Sequence, residues 1–182
     1  MALAATPLNI AALGCIISGS CASGIGMSAS LLTMPALIRP DVPQDALVHQ
    51  WHNLYRRGAA LMPVLAGATT LSYWLVAYYH TLPSPLELGA ASSASGEWRG
   101  FAAAGALTLA IVPYTLVVMM PTIRTLEASM DGAAVVDEKG QRRATMSRGT
   151  AEALLRKWTQ MNVVRSLIPL VGAACAVWNL LG

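Results

Sequence analysis

Four long apolar blocks constrain the fold of this chain more than any other feature. They cover residues 9–34, 58–80, 101–120 and 161–181, and Arg165 is the only lysine, arginine, aspartate or glutamate inside them. About 20 apolar residues in a helix cross the hydrocarbon core of a bilayer, and a helix satisfies its own backbone polar groups there. The blocks therefore predict an all-α fold: a four-helix transmembrane bundle with helical cytosolic extensions, in a single domain over residues 1–182.

The composition and the distribution of charge agree with a membrane protein. Hydrophobic residues make up 55% of the 182 residues and charged residues 12%, about half of the share usual in soluble domains. Ten of the twelve lysines and arginines lie in segments 35–57 and 121–160, so the net charge of +3 does not indicate nucleic-acid binding. By the positive-inside rule we expect both segments, including a loop over 121–150, to be cytosolic and both termini to be lumenal, in the endoplasmic reticulum membrane.

Two helical extensions are expected to bring polar and aromatic side chains to the cytosolic ends of the second and fourth blocks. The first runs from Asp41 to Arg57 and the second begins near Thr150. Both carry an aromatic residue followed by partners one and two turns later, a spacing that puts them on one helix face. We expect these faces to line a pocket formed by Trp51, His52, Asn53, Tyr55, Arg57, Thr122, Arg124, Trp158, Asn162 and Arg165.

The predicted pocket suits a flat aromatic ligand with phenolic or carbonyl oxygens. Tryptophan and tyrosine rings stack on such a ligand, and arginine and asparagine bind its oxygens. Arg165 is the strongest single signal, because an ionised side chain within an apolar block is a functional residue by default. Three prolines inside the blocks, Pro63, Pro113 and Pro169, are expected to open the bundle on the same side.

Three motifs in the chain resemble a known family. They are Trp51-x-x-x-Tyr55-x-Arg57-Gly58-x-x-x-x-Pro63, Met120-Pro121-Thr122 and Leu155-x-x-Trp158-x-x-x-Asn162-x-x-Arg165. Together they resemble the anthrone oxygenases, small integral-membrane proteins of fungal polyketide pathways. Ile123 departs from the pattern, where an asparagine is expected. The resemblance implies oxygenation of an anthrone to an anthraquinone by O₂, without a cofactor.

Residue roles follow from combining that chemistry with the predicted pocket. A base must remove a proton from the activated methylene, and the carbanion then passes an electron directly to O₂. We expect His52 to be the base, with His49 as a substitute. The enolate oxygens would be held by Arg165, Asn162 and Arg57. The remaining lining would bind the substrate through Trp51, Tyr55, Asn53, Trp158, Thr122 and His49.

Two alternatives stay open at this stage. Asp45, His49 and His52 share one helical stripe and could form a two-histidine, one-carboxylate metal site, although ligands normally converge from more than one element. A non-catalytic membrane carrier or scaffold subunit that binds an aromatic polyketide is the second alternative. Polar groups at one membrane face only favour the enzyme. The expected partners are a small aromatic polyketide and the lipid bilayer, with no nucleic acid, and the sequence is compatible with an oligomer.

Overall fold

A computed structural model of the chain describes residues 7–82, 97–131, 135–136, 142–143 and 146–181. Almost all of the described residues are helical, which confirms the predicted all-α class. One antiparallel ladder pairs β1 with β2, each two residues long. The elements are α1 Pro7–Ser28, a π-helical segment π1 Ala29–Thr33, α2 Met34–Leu37, α3 Gln44–Thr81, α4 Glu97–Leu109, α5 Ile111–Tyr114, a second π-helical segment π2 Thr115–Met119, α6 Met120–Asp131, β1 Val135–Val136, β2 Arg142–Arg143 and α7 Arg148–Leu181.

Four helical stretches are long and apolar enough to cross a membrane. They are Pro7–Leu37, Gln44–Thr81, Trp98–Met130 and Arg148–Leu181, and each contains one of the four predicted blocks. Both predicted extensions are helical, since α3 begins at Gln44 and α7 begins at Arg148, and each helix continues without interruption through its block. Pro63 and Pro169 lie inside these two continuous helices.

The third helix extends further than the sequence analysis predicted. Residues 121–131, expected to belong to a loop, form most of α6. Ile123 and Leu126 of α6 are fully buried, and Met130 packs against the same core. Apolar side chains three and four residues apart lie on one helix face, which stabilises a helix through this segment.

Both π-helical segments directly precede a methionine–proline pair. The amides of Met34 and Met120 each donate to the carbonyl five residues earlier instead of four. Pro35 and Pro121 have no N–H, so the carbonyl four residues before each proline, inside π1 or π2, loses its usual α-helical donor. A methionine–proline pair therefore accompanies the shift in hydrogen-bond register at both places. Such segments are frequent at functional sites.

The chain divides into two compact units, which are described separately. The first comprises the described parts of 1–24, 62–111 and 166–182. Its core is closely packed around glycines: a Cβ at Gly105 would lie 2.5 Å from the Trp74 indole nitrogen, and one at Gly172 would lie 2.9 Å from the Ala104 carbonyl oxygen. Small residues of this kind let transmembrane helices approach closely.

The second unit comprises the described parts of 25–61 and 112–165. It contains every residue predicted to line the pocket. Its core is formed by α2, the first part of α3, the end of π2, α6 and the first part of α7, through Met34, Leu47, Val48, Trp51, Met119, Ile123, Leu126, Ala151, Leu155 and Trp158.

Candidate functional site

An aromatic cluster joins α3 to α7 in the core of the second unit. The Trp51 and Tyr55 rings stack with centroids 5.5 Å apart and planes 7° apart. The Trp158 ring meets Trp51 edge to face, with centroids 6.0 Å apart and planes at 85°. The structure thus brings together the aromatic residues that the spacing placed on facing helices.

The two indoles in this cluster carry hydrogen-bond donors that no group in the described part of the chain accepts. Trp51 is fully buried and Trp158 is 3% exposed. Neither Nε1 atom has a hydrogen-bond partner within the described part of the chain. A buried donor without a partner costs about 1–3 kcal/mol, and a ligand oxygen would remove that cost. The sequence predicts both rings as walls of the pocket and gives no signal for a role of their N–H groups.

His52 lies next to the cluster and faces a carboxylate from another helix. Its ring centroid is 6.3 Å from that of Trp51. Its buried Nδ1 atom lies 3.8 Å from Oε1 of Glu127 on α6 and has no hydrogen-bond partner among the residues described. Glu127 was not predicted, because residues 121–131 were expected to be loop. The apolar repeat of α6 was the signal that could have placed it beside the core.

Arg165 and two tyrosine hydroxyls form the polar part of the site. Arg165 is half-buried on α7, and the phenols of Tyr55 and Tyr114 lie within electrostatic range of its guanidinium. The Tyr114 hydroxyl donates to the Met161 carbonyl at 3.3 Å. Tyr114 was also missed, because a single tyrosine inside an apolar block gives no periodic signal.

Asn162 ties α7 to the first helical stretch. Its Nδ2 donates to the Gly26 carbonyl at 2.9 Å and to the Ser30 hydroxyl at 2.7 Å, and the side chain is 1% exposed. An amide NH₂ group has two hydrogens, so both donors are engaged. This geometry differs from the predicted role of Asn162 as a donor to enolate oxygens, and it makes Asn162 a residue that fixes helix position.

Four side chains that were predicted at the pocket are exposed instead, one on α6 and three on α3. Arg124 is exposed on α6, and Asn53, Arg57 and His49 are exposed on α3. At about 100° per residue, the three on α3 fall roughly 160–240° around that helix from Trp51, on the opposite face. Thr122, by contrast, is buried on α6. The structure therefore does not bring these four exposed side chains to the aromatic cluster.

The alternative metal site is not formed. Within the described residues, no group of three or more histidine, cysteine, aspartate or glutamate side chains is arranged to hold a metal ion. Asp45 and His49 are exposed, whereas His52 is half-buried and faces Glu127. A common helical stripe did not make these side chains converge.

Comparison with known proteins gives one consistent family. A sequence profile of the anthrone oxygenases matches residues 51–175. An anthrone oxygenase of Paecilomyces divaricatus is 31% identical over 169 residues, covering 90% of this chain and 94% of the relative. One from Aspergillus novofumigatus is 36% identical over 158 residues, covering 87% and 85%. A noranthrone monooxygenase of Aspergillus flavus is 30% identical over 167 residues, covering 92% and 71%. No solved structure matches the chain significantly. The chain belongs to the anthrone oxygenase family.

Proposed function

We propose that this chain oxygenates the activated methylene of an anthrone to give an anthraquinone, with O₂ as co-substrate. The names of its relatives support this reaction class. The observation that carries the proposal is the clustering, within one compact unit, of stacked aromatic rings, unused indole donors, Arg165 and a His52–Glu127 pair. The cluster supplies aromatic rings, anion-binding groups and a base.

The first step in the proposal is proton removal by His52. The methylene of an anthrone is acidic because its carbanion is a resonance form of an aromatic phenolate. His52 accepts the proton and becomes an imidazolium, which the Glu127 carboxylate 3.8 Å away stabilises by charge attraction. A positioned general base contributes about 10²–10⁴-fold to the rate.

The second step uses the electron-rich anion itself as the reductant. One electron passes from the anion to O₂, and the resulting radical and superoxide combine to form a carbon–oxygen bond. The proton held by His52 completes a hydroperoxide. Loss of the second methylene hydrogen with cleavage of the O–O bond then releases water and leaves the quinone carbonyl. Anthrone and O₂ thus give anthraquinone and water, without another oxidant or reductant.

Arg165 and the indoles hold the negative charge during these steps. The guanidinium, which lies within electrostatic range of the phenols of Tyr55 and Tyr114, binds the enolate oxygen, and the N–H groups of Trp51 and Trp158 donate to further substrate oxygens. Donors fixed before the reaction stabilise charge without reorganisation. Asn162 acts indirectly by holding α7 in place. Arg57 and His49, which are exposed, have no catalytic role in this revised proposal.

We also propose an orientation in the membrane. The four apolar helices lie in the endoplasmic reticulum membrane, with segments 35–57 and 121–160 on the cytosolic side and the termini in the lumen, following the basic residues. Glycosylation acceptor sites introduced at the N-terminus and near residue 140 test this orientation. Glycosylation at residue 140 alone would contradict it.

Membranes with and without the protein test the reaction. Emodin anthrone is supplied, and quinone absorbance and O₂ uptake are followed, with heat-treated membranes correcting for autoxidation. We expect His52→Ala to lower turnover by about 100-fold or more, and Glu127→Gln to lower it less. His49→Ala, on the same helix but exposed, is the matched control. Full turnover by His52→Ala would remove the base assignment, whereas anthrone binding without any quinone formation would favour a carrier.

A further inference from the structure

A pocket of about 340 Å³ opens in the second unit between α2 and α7. Met34, Pro35 and Ile38 form an apolar wall. The facing wall carries Arg156, Thr159 and Gln160. The two walls differ in chemistry, so the pocket suits a ligand that has a polar part and an apolar part.

This pocket is separate from the aromatic cluster. Arg156 and Gln160 precede and follow Trp158 by two residues, which places both about 160° around α7 from the indole. Trp158 is buried in the core, whereas Arg156 and Gln160 are exposed. The pocket therefore lies on a different side of α7 from the reaction site proposed above.

The charge of Arg156 has no acidic partner within the described part of the chain. Glu152, four residues earlier on the same helix, is its natural partner. The Glu152 carboxylate instead accepts a hydrogen bond from Nε of Arg148 at 2.9 Å. Arg148 is in turn held by the carbonyls of Val42 and Arg39. This arrangement leaves the Arg156 guanidinium available to an external anion.

The apolar side of the pocket continues into an exposed hydrophobic surface. The bonds from Asn162 to Gly26 and Ser30 set α7 beside the first helical stretch. One turn from Pro35, Leu31 and Leu32 are 59% and 70% exposed, and one turn from Gln160, Val164 is 50% exposed. A ligand with its polar end at Arg156 has apolar surface for its tail.

We infer that this pocket binds the headgroup of an acidic phospholipid. The Arg156 guanidinium and the Gln160 amide hold the phosphate, since a guanidinium can donate two parallel hydrogen bonds to phosphate oxygens. The acyl chains lie over Leu31, Leu32 and Val164. A net negative headgroup is favoured because the Arg156 charge has no acidic partner within the described part of the chain, since Glu152 pairs with Arg148. The inference requires membrane insertion and does not depend on the reaction proposed above.

Native mass spectrometry of the purified full chain tests the site. The protein is equilibrated in nanodiscs of phosphatidylcholine with or without phosphatidylserine, released, and scored for retained lipid and for melting temperature. We expect retained phosphatidylserine and a higher melting temperature. Arg156→Gln should weaken retention roughly tenfold or more, because it removes a charge-assisted contact. Lys157→Gln, the adjacent cation outside the pocket lining, should retain the lipid.

Several outcomes would overturn the site. Equal loss in both variants would mean general attraction to a charged surface, and no retention by the unmodified protein would mean that no headgroup site exists. Displacement by inorganic phosphate at equal concentration would indicate a free anion instead of a lipid, and displacement by an anthraquinone would assign the pocket to the substrate. Melting in pure phosphatidylcholine checks folding of Arg156→Gln. If that variant fails to fold, Arg156→Lys should retain lipid at an intermediate level, and retention equal to that of the unmodified protein would count against the site.

Discussion

Replacing Asn162 by alanine should destabilise the second unit by an amount that its hydrogen bonds define. The substitution removes one bond of 2.9 Å to the Gly26 carbonyl and one of 2.7 Å to the Ser30 hydroxyl. Side-chain hydrogen bonds between transmembrane helices average about 0.6 kcal/mol, with a maximum near 1.7 kcal/mol. Two such bonds predict a loss of about 1–3 kcal/mol, which is a large part of the stability of an ordinary domain.

A double-mutant cycle separates the two bonds. Ser30→Ala removes only the shared bond, so the coupling free energy between Asn162→Ala and Ser30→Ala should be about 0.6–1.7 kcal/mol. Ser28→Ala is the matched control, because its exposed hydroxyl bonds the Ile25 carbonyl in its own helix at 2.8 Å. That control should change the free energy of unfolding by less than about 0.5 kcal/mol.

Equilibrium unfolding in bilayers by steric trapping measures these free energies, and anthrone turnover is followed in parallel. If Asn162 fixes helix position, Ser30→Ala lowers stability and turnover in the same direction as Asn162→Ala, by a smaller amount. A coupling energy near zero would refute the assigned bond. A different result would show that Asn162 contacts the substrate: Asn162→Ala loses turnover, Ser30→Ala keeps full turnover, and the coupling free energy between the two substitutions is still measurable.

Three further substitutions test packing, loop attachment and the unused indole donors. Gly172→Ala places a Cβ 2.9 Å from a backbone carbonyl of α4 and should cost about 1–3 kcal/mol of unfolding free energy. Gly67→Ala is the control, because a Cβ there meets no neighbouring atom of the described chain within 4 Å and should cost nothing. Equal melting temperatures of the two variants would contradict the close approach at Gly172. Arg148→Gln should lower stability by about 1–3 kcal/mol, because it weakens bonds to two carbonyls in the 39–42 turn, and limited proteolysis should cut that turn faster. Trp158→Phe removes a buried N–H that has no partner in the described chain and should raise KM about two- to tenfold. The smaller ring also leaves space in the core, so the melting temperature should fall; an unchanged KM would exclude donation to the substrate.

Helix periodicity made one half of the site predictable. Trp51 and Tyr55 are four residues apart, so their rings had to share a face of α3, and the stacked geometry follows from that spacing. The same reasoning should have excluded Asn53, two residues from Trp51, because side chains two apart do not face each other. Asn53 is exposed on the opposite face of α3, as its angle from Trp51 requires.

The other half of the site depends on contacts that no spacing encodes. Asn162 binds a backbone carbonyl at Gly26, and a carbonyl is present at every position of every helix. Glu127 reaches His52 only because α6 continues past the predicted end of the third apolar block. Its neighbours on the core face, Ile123 and Leu126, are spread among charged residues, so the segment has the hydropathy of a loop but the periodicity of a helix.

The two π-helical segments decide which side chains reach the site. Ser30, which binds Asn162, lies within π1, and Tyr114, which lies near Arg165, immediately precedes π2. A π-helical segment contains one residue more than the α-helix it interrupts, and one residue turns everything after it by about 100°. The angle between Tyr114 and Glu127 around the third helical stretch is therefore set by π2.

Deleting Val117, an exposed residue in the middle of π2, tests this dependence. The deletion restores α-helical spacing and turns α6 by about 100° relative to Tyr114, which moves Glu127 away from His52. We expect turnover to fall at least as far as in Glu127→Gln, while the protein still inserts into membranes. Val117→Ala keeps the chain length and should retain turnover. If the deletion variant keeps full turnover, α6 does not need this rotation, and Glu127 does not support His52.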